Sequence, residues 1–133
     1  MRRLAVLVGA ALFVAAIIGA IRQFPRQWAA RVAVKGHSME PTLADGDWLL
    51  VDPLAYSARF PRVGELVVIT DPRDEGRLLV KRVATVTDDG VASLVGDHPA
   101  HADEQDLGEV DPDAVVGRPW LRYWPFERFG PIA

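Results

Sequence analysis

The chain of 133 residues contains no cysteine, which excludes disulfides, thiolate nucleophiles and cysteine-based zinc sites. Its net charge is small: 15 Lys and Arg stand against 18 Asp and Glu, giving −3, so no basic field marks a nucleic-acid binder. Neither an internal repeat nor a low-complexity tract is present, and beyond Arg31 no segment keeps a long helical period. A cysteine-free composition suits either side of a membrane, so compartment must be read from other features.

Apolar residues are abundant: half of the chain is hydrophobic, and most of the excess lies between Leu4 and Ile21, a run with no charged or strongly polar residue. As a helix at ~1.5 Å per residue it would extend about 27 Å, close to the ~30 Å hydrocarbon core of a bilayer. Arg2 and Arg3 precede the run, Arg22 and Arg26 follow it, and Trp28 occupies the place of an interfacial anchor. A cleaved signal peptide shares the charged start, but its apolar core is about 7–15 residues and ends in small residues. Here the run is longer and ends Ala20-Ile21-Arg22. Residues 1–22 are therefore expected to anchor the chain in a lipid bilayer, with residues 23–30 as an interfacial linker. Positive residues on both flanks compete, so charge alone does not assign the side occupied by residues 31–133.

Residues 31–133 read as a mainly β domain. Arg31 to Lys35 alternates polar and apolar, Trp48 to Val51 is a strand ending at Asp52-Pro53, and Leu54 to Pro61 is an irregular loop. Glu65 to Thr70 is the clearest buried strand, and Asp71 to Gly76 a polar connection into a strand from Arg77 to Thr87. The turn Asp88-Asp89-Gly90 precedes the strand Val91 to Val95. A polar loop from Gly96 to Gly108 and a strand around Val115 to Arg118 follow, before an aromatic tail of Trp120, Trp124, Phe126 and Phe129. Short strands with Gly, Pro and Asp turns predict a small antiparallel β domain.

Two stretches carry chemistry. Ser38 lies on a turn bounded by Gly36 and Pro41, and Lys81 lies inside the apolar strand Leu78 to Val83. A serine needs a base to attack a carbonyl at neutral pH, and a desolvated lysine can be that base. By strand alternation Lys81 shares a face with Leu79 and Val83. If that face packs against a core or a substrate groove, the lysine is desolvated. The plainer alternative is a lysine whose head snorkels to solvent and a serine in an ordinary turn. With Gly36 freeing the turn, the backbone N–H of Ser38 is the natural oxyanion donor.

The residues Gly36-His37-Ser38-Met39-Glu40-Pro41-Thr42-Leu43 resemble the nucleophile motif of the type I signal peptidases, Ser-Met-x-Pro-Thr-Leu followed by a Gly-Asp turn and a strand. Gly46-Asp47 and Trp48 to Val51 continue it. Pro61 to Val68 resembles the family's Gly-Asp-x-Val strand with Glu65 in place of Asp, and Val80-Lys81-Arg82-Val83 its Lys-Arg motif. Gly96-Asp97-His98-Pro99 begins like its Gly-Asp-Asn segment, with Gly108 as the closing glycine. The resemblance runs from Val34 to Arg118. It implies a membrane-anchored serine endopeptidase with a Ser38–Lys81 dyad and no cofactor, cutting leader peptides from precursor proteins on the extracytoplasmic side. It also implies an antiparallel β domain with an apolar surface that docks on the bilayer, for which Trp48, Trp120, Trp124, Phe126 and Phe129 are candidates; the alternative is that these aromatics fill the core of a small domain.

The chain departs from the family pattern in three places. The last motif usually carries a serine that orients the lysine, two positions before an Asp-Ser-Arg triplet. Here His101 to Gly108 holds no serine, and Asp103 is the candidate for the aspartate's role, pairing with Arg82; Arg82, Asp97 and Asp103 are the residues expected to support the site. Gly36 stands where some members have a side-chain oxyanion donor, and the large second β domain of longer members is missing. The compact form and the Arg122-Tyr123-Trp124-Pro125 tail also resemble proteases assigned to maturation of nickel superoxide dismutase. Three other readings use the same residues: Ser38 with His98 or His101 as base and Asp97 or Asp103 as orienter, a metal site at His98, His101 and Asp103, or an inactive relative that grips peptides by strand addition.

Overall fold

The run Leu66-Val67-Val68-Ile69 is apolar on both strand faces, and such a strand is stable only where both are covered. In the computed structural model, which describes residues 12–16, 30–101 and 107–133, this run forms the central strand β3 (Leu66–Asp71). The other strands are β1 (Ala30–Ala33), β2 (Trp48–Asp52), β4 (Asp74–Val86), β5 (Ala92–Val95), β6 (Glu109–Val110), β7 (Val115–Trp124) and β8 (Gly130–Pro131). They form one antiparallel sheet in the order β1-β2-β7-β3-β4-β5-β6, with β8 paired to β7.

Alternation along β3 divides the core. Leu66 and Val68 join Val32, Met39, Leu43, Leu49, Val51 and Val80 in one cluster. Val67 and Ile69 join Val83, Ala92, Leu94 and Val110 in the other. Each buried aliphatic side chain contributes about 1.5–3 kcal/mol relative to exposure. The loop from residue 35 to residue 47, which carries Ser38, is pinned because Met39 and Leu43 belong to the first cluster.

The mainly β expectation holds, with changes at the edges. The connection after β3 is tighter than the polar stretch implied, because Asp71 accepts the Arg73 N–H at 2.9 Å and closes a turn over Pro72-Arg73. Strand β4 therefore starts at Asp74, ahead of the expected Arg77. The tail is not an appendage: β7 continues through it to Trp124, paired with β2 from Asp52↔Arg118 to Trp48↔Trp124. Its aromatics do not fill the core, since Trp48, Trp120, Trp124, Phe126 and Phe129 are all substantially exposed.

Residues 12–16 are helical. No helix among the described residues is long and apolar enough to cross a membrane. Apart from residues 12–16 and Ala30, the anchor expected over 1–22 and the linker over 23–30 lie outside the described residues, as does Asp103.

Candidate active site

Strand β4 delivers Lys81. Opposite Val67 in the ladder, it is 1% exposed. Burying an ammonium is costly, and a lysine meets the cost by favouring its neutral form. Desolvation holds the Lys81 pKa below the ordinary lysine value, nearby Arg73 and Arg77 push it the same way, and Asp71 opposes them.

The loop after β1 delivers Ser38. Gly36 takes a positive φ of 84° and donates its N–H to Asp45 Oδ1 at 2.7 Å, which turns the chain toward the sheet. Ser38 O accepts from His98 N at 2.9 Å. A Cβ on Gly96 would fall 2.5 Å from that carbonyl oxygen, so only glycine permits so close an approach. The outcome is a separation of 3.2 Å between Ser38 Oγ and Lys81 Nζ, across 43 positions of sequence.

Arg82, next to the lysine, forms a fork with Asp97: Nε donates to Oδ1 and Nη2 to Oδ2, both at 2.7 Å. Its Nη1 reaches Gly64 O at 2.7 Å. Asp97 Oδ2 also accepts from Thr42 Oγ1 at 2.6 Å. These bonds connect the strand carrying Lys81 to the loop carrying Ser38. The arginine is the main cause holding the Asp97 carboxyl below the usual range, with Thr42 assisting. Asp97 and Arg82, both expected to support the site, are thus partners of one another, while Asp103, the candidate for pairing with Arg82, lies outside the described residues.

The remaining candidates divide. Met39 is buried in the core, and Pro41 is exposed and follows a cis peptide bond. The ring of His37 bonds Glu40 Oε1 at 2.7 Å, and that bond raises its pKa. His98 lies beside the site through its backbone, and its Nδ1 accepts from Ala100 N at 3.1 Å. His101 ends a short 3-10 turn, Pro99–His101, and its side chain is outside the described residues. No group of three His, Asp or Glu able to hold a metal occurs among the described residues.

Sequence reasoning missed the cleft. A cavity of about 550 Å³ opens between Arg31–Ala33 of β1, with Val34 just beyond it, and Gly76–Lys81 of β4, with Ser38 and Met39 at its lining. β1 is the edge of the sheet, and ahead of Arg82 β4 has a strand neighbour only on its β3 side among the described residues. Among the described residues, two strand edges therefore flank the dyad. Thr42, Asp47 and Arg122 stand in the quoted motifs without a role of their own, because only the fold reveals what their polar atoms touch.

The family model described as "Signal peptidase, peptidase S26" matches residues 2–98. The chain belongs to this family. Members of the signal peptidase family are serine peptidases that process leader peptides, and some of their relatives are inactive subunits. The chain is 31% identical over 124 residues to mitochondrial ATP-independent inner membrane protease subunit 1a of Arabidopsis thaliana, covering 74% of this chain and 73% of that one. It is 30% identical over 121 residues to mitochondrial inner membrane protease subunit 1 of Xenopus tropicalis, covering 76% and 72%. Signal peptidase I of Aquifex aeolicus is 36% identical over 61 residues, covering 45% of this chain and 24% of that protein.

Proposed function

We propose that this chain is a membrane-anchored serine endopeptidase that removes N-terminal leader peptides from precursor proteins, with Ser38 as nucleophile and Lys81 as general base. The observation that carries the reading is a buried lysine, 1% exposed, with its Nζ 3.2 Å from a serine hydroxyl. In its neutral form Lys81 accepts the Ser38 proton as Oγ bonds to the scissile carbonyl carbon. The oxyanion is stabilised by the Ser38 backbone N–H. Collapse of the adduct breaks the C–N bond, and Lys81 returns its proton to the leaving amine. Water then attacks the acyl-enzyme, giving a proton to Lys81 and releasing the leader's new carboxylate, and that proton passes back to Ser38.

The cleft supports the reading from the substrate side. The cavity between β1 and β4 is lined by Ser38 and Lys81, and an extended peptide added along those strands would bring a backbone carbonyl to Ser38. Residues 1–22 serve as the anchor, residues 23–30 as the linker and residues 31–133 as the peptidase domain, facing the extracytoplasmic side. The names of the inner membrane relatives support the membrane setting.

Ser38→Ala and Lys81→Ala, assayed in full-length protein on a reporter precursor, should each lower cleavage by at least about a thousandfold. Full activity in Lys81→Ala would defeat the dyad. N-terminal sequencing of the product identifies the bond cut, with an exported preprotein and a superoxide dismutase precursor as the two substrates to compare.

A further inference from the structure

Asp47 is 1% exposed, and a carboxylate in such a place needs partners. Its Oδ2 accepts from Ala44 N at 2.9 Å and from Arg122 Nη1 at 3.2 Å, and its Oδ1 from Arg128 Nη1 at 3.3 Å. Arg122, whose side chain is 15% exposed, uses the same Nη1 to reach Thr42 O at 3.2 Å. Its Nε donates to the backbone oxygen of Arg128. Thr42 is therefore held twice: by Asp97 through its hydroxyl and by Arg122 through its carbonyl.

We propose that Arg122, braced by Asp47 and Arg128, is a positioning residue that holds the serine loop at the distance Lys81 requires. The proposal rests on the Ser38–Lys81 reading. The two partners are unequally supported. Lys81 sits in a strand laddered to β3 from Leu66↔Arg82 to Thr70↔Leu78, so its place is set by the sheet. Ser38 sits in a loop that belongs to no ladder. On one side that loop meets the Gly96–His98 segment, through Ser38 O and Thr42 Oγ1. On the other it meets Arg122 at Thr42 O. Strand β7 does not need this arginine to hold its own place, because β2, β3 and β8 pair with it. A displacement of ~1 Å in a reacting pair can lower the rate by about a hundredfold.

The test measures kcat and KM of the full-length protein in detergent on a leader-bearing peptide, for wild type, Arg122→Lys, Arg128→Gln, Val110→Ala and Ser38→Ala. Lysine keeps the charge facing Asp47 but lacks the planar fork that reaches Asp47, Thr42 and Arg128 together. Arg122→Lys should lower kcat by about 10- to 100-fold with KM within about twofold, since β1 and β4 line the cleft. Arg128→Gln should show a smaller fall in the same direction. The pH midpoint of kcat/KM should stay at the wild-type value, because Arg73, Arg77 and Asp71, the charged groups that act on Lys81, are untouched. Val110→Ala, a core deletion in β6, provides a destabilised control outside this network. The proposal is overturned if Arg122→Lys keeps kcat within twofold of wild type, or if Val110→Ala loses as much kcat at an equal thermal midpoint. Loss in Ser38→Ala beside full activity in Arg122→Lys overturns the clamp alone. Activity retained in Ser38→Ala removes the dyad reading and the clamp with it.

Discussion

A lysine that acts as a base must be able to lose its proton, and the burial of Lys81 gives a direct pH signature. Because desolvation lowers its pKa, kcat/KM should rise with pH and level off below the ordinary lysine range near 10.5. Lys81→Arg keeps a cation of similar reach that does not deprotonate, and should fall to the level of Lys81→Ala. A pH profile and the arginine variant together check both points. Glu65 makes a second residue-level prediction. Arg59 holds its carboxyl at about 2 against 4.5, helped by the Arg62 N–H and opposed by desolvation. With the folded value depressed, its stabilisation is complete above pH 4.5 and is lost as pH falls from 4.5 toward 2. At ~1.4 kcal/mol per unit this is about 3 kcal/mol at most. Acid unfolding of Glu65→Gln should show a correspondingly shallower limb over that window.

Among the elements, the contact between the serine loop and the end of β5 is the most sensitive to volume. Gly96 admits no Cβ because the Ser38 carbonyl oxygen would lie 2.5 Å away, and backbone cannot yield as a side-chain tip does. Gly96→Ala should displace the loop and lower kcat by about tenfold or more, consistent with an overpacking cost of about 1–3 kcal/mol. Gly117 is equally crowded, with Asp52 O at 2.3 Å from its Cβ position, but it lies where β7 passes β2. Gly117→Ala should therefore lower the thermal midpoint without a loss of kcat in the folded fraction. Kinetics and melting of the two variants distinguish a loop effect from a sheet effect.

Taken as a whole, the molecule leaves aromatic residues on its surface near one end. Trp48 and Trp124 are cross-strand partners, Trp124 stacks edge-on against Phe126 at 5.1 Å, and Phe126 and Phe129 are 72% and 59% exposed. Aromatic side chains at a bilayer interface bury their rings while polar edges stay wet. In the proposed setting this surface rests on the membrane in which the precursor is held. Phe126→Ser with Phe129→Ser should then slow cleavage of a membrane-anchored precursor in vesicles by about 3- to 10-fold, equivalent to about 0.7–1.4 kcal/mol. Cleavage of a short soluble peptide should be unchanged. Equal effects on both substrates would remove the surface from a membrane role.

By itself the sequence determined the strands whose patterns are local: β2, β3 and β5, each bounded by Gly, Pro or Asp turns, and the apolar setting of Lys81. Its motif order also located Ser38 and Lys81 as the pair to watch. Alternation and turn chemistry act over a few residues, so they are written where they operate. The tertiary structure alone decided that Lys81 is sealed and meets Ser38, that Asp97 takes Arg82 and Thr42, and that Arg122 reaches the serine loop across 80 positions. It also made a strand of the aromatic tail, whose order depends on lying against β2. These outcomes depend on which strands become neighbours, and a buried polar atom's partner is set by that adjacency rather than by any spacing along the chain.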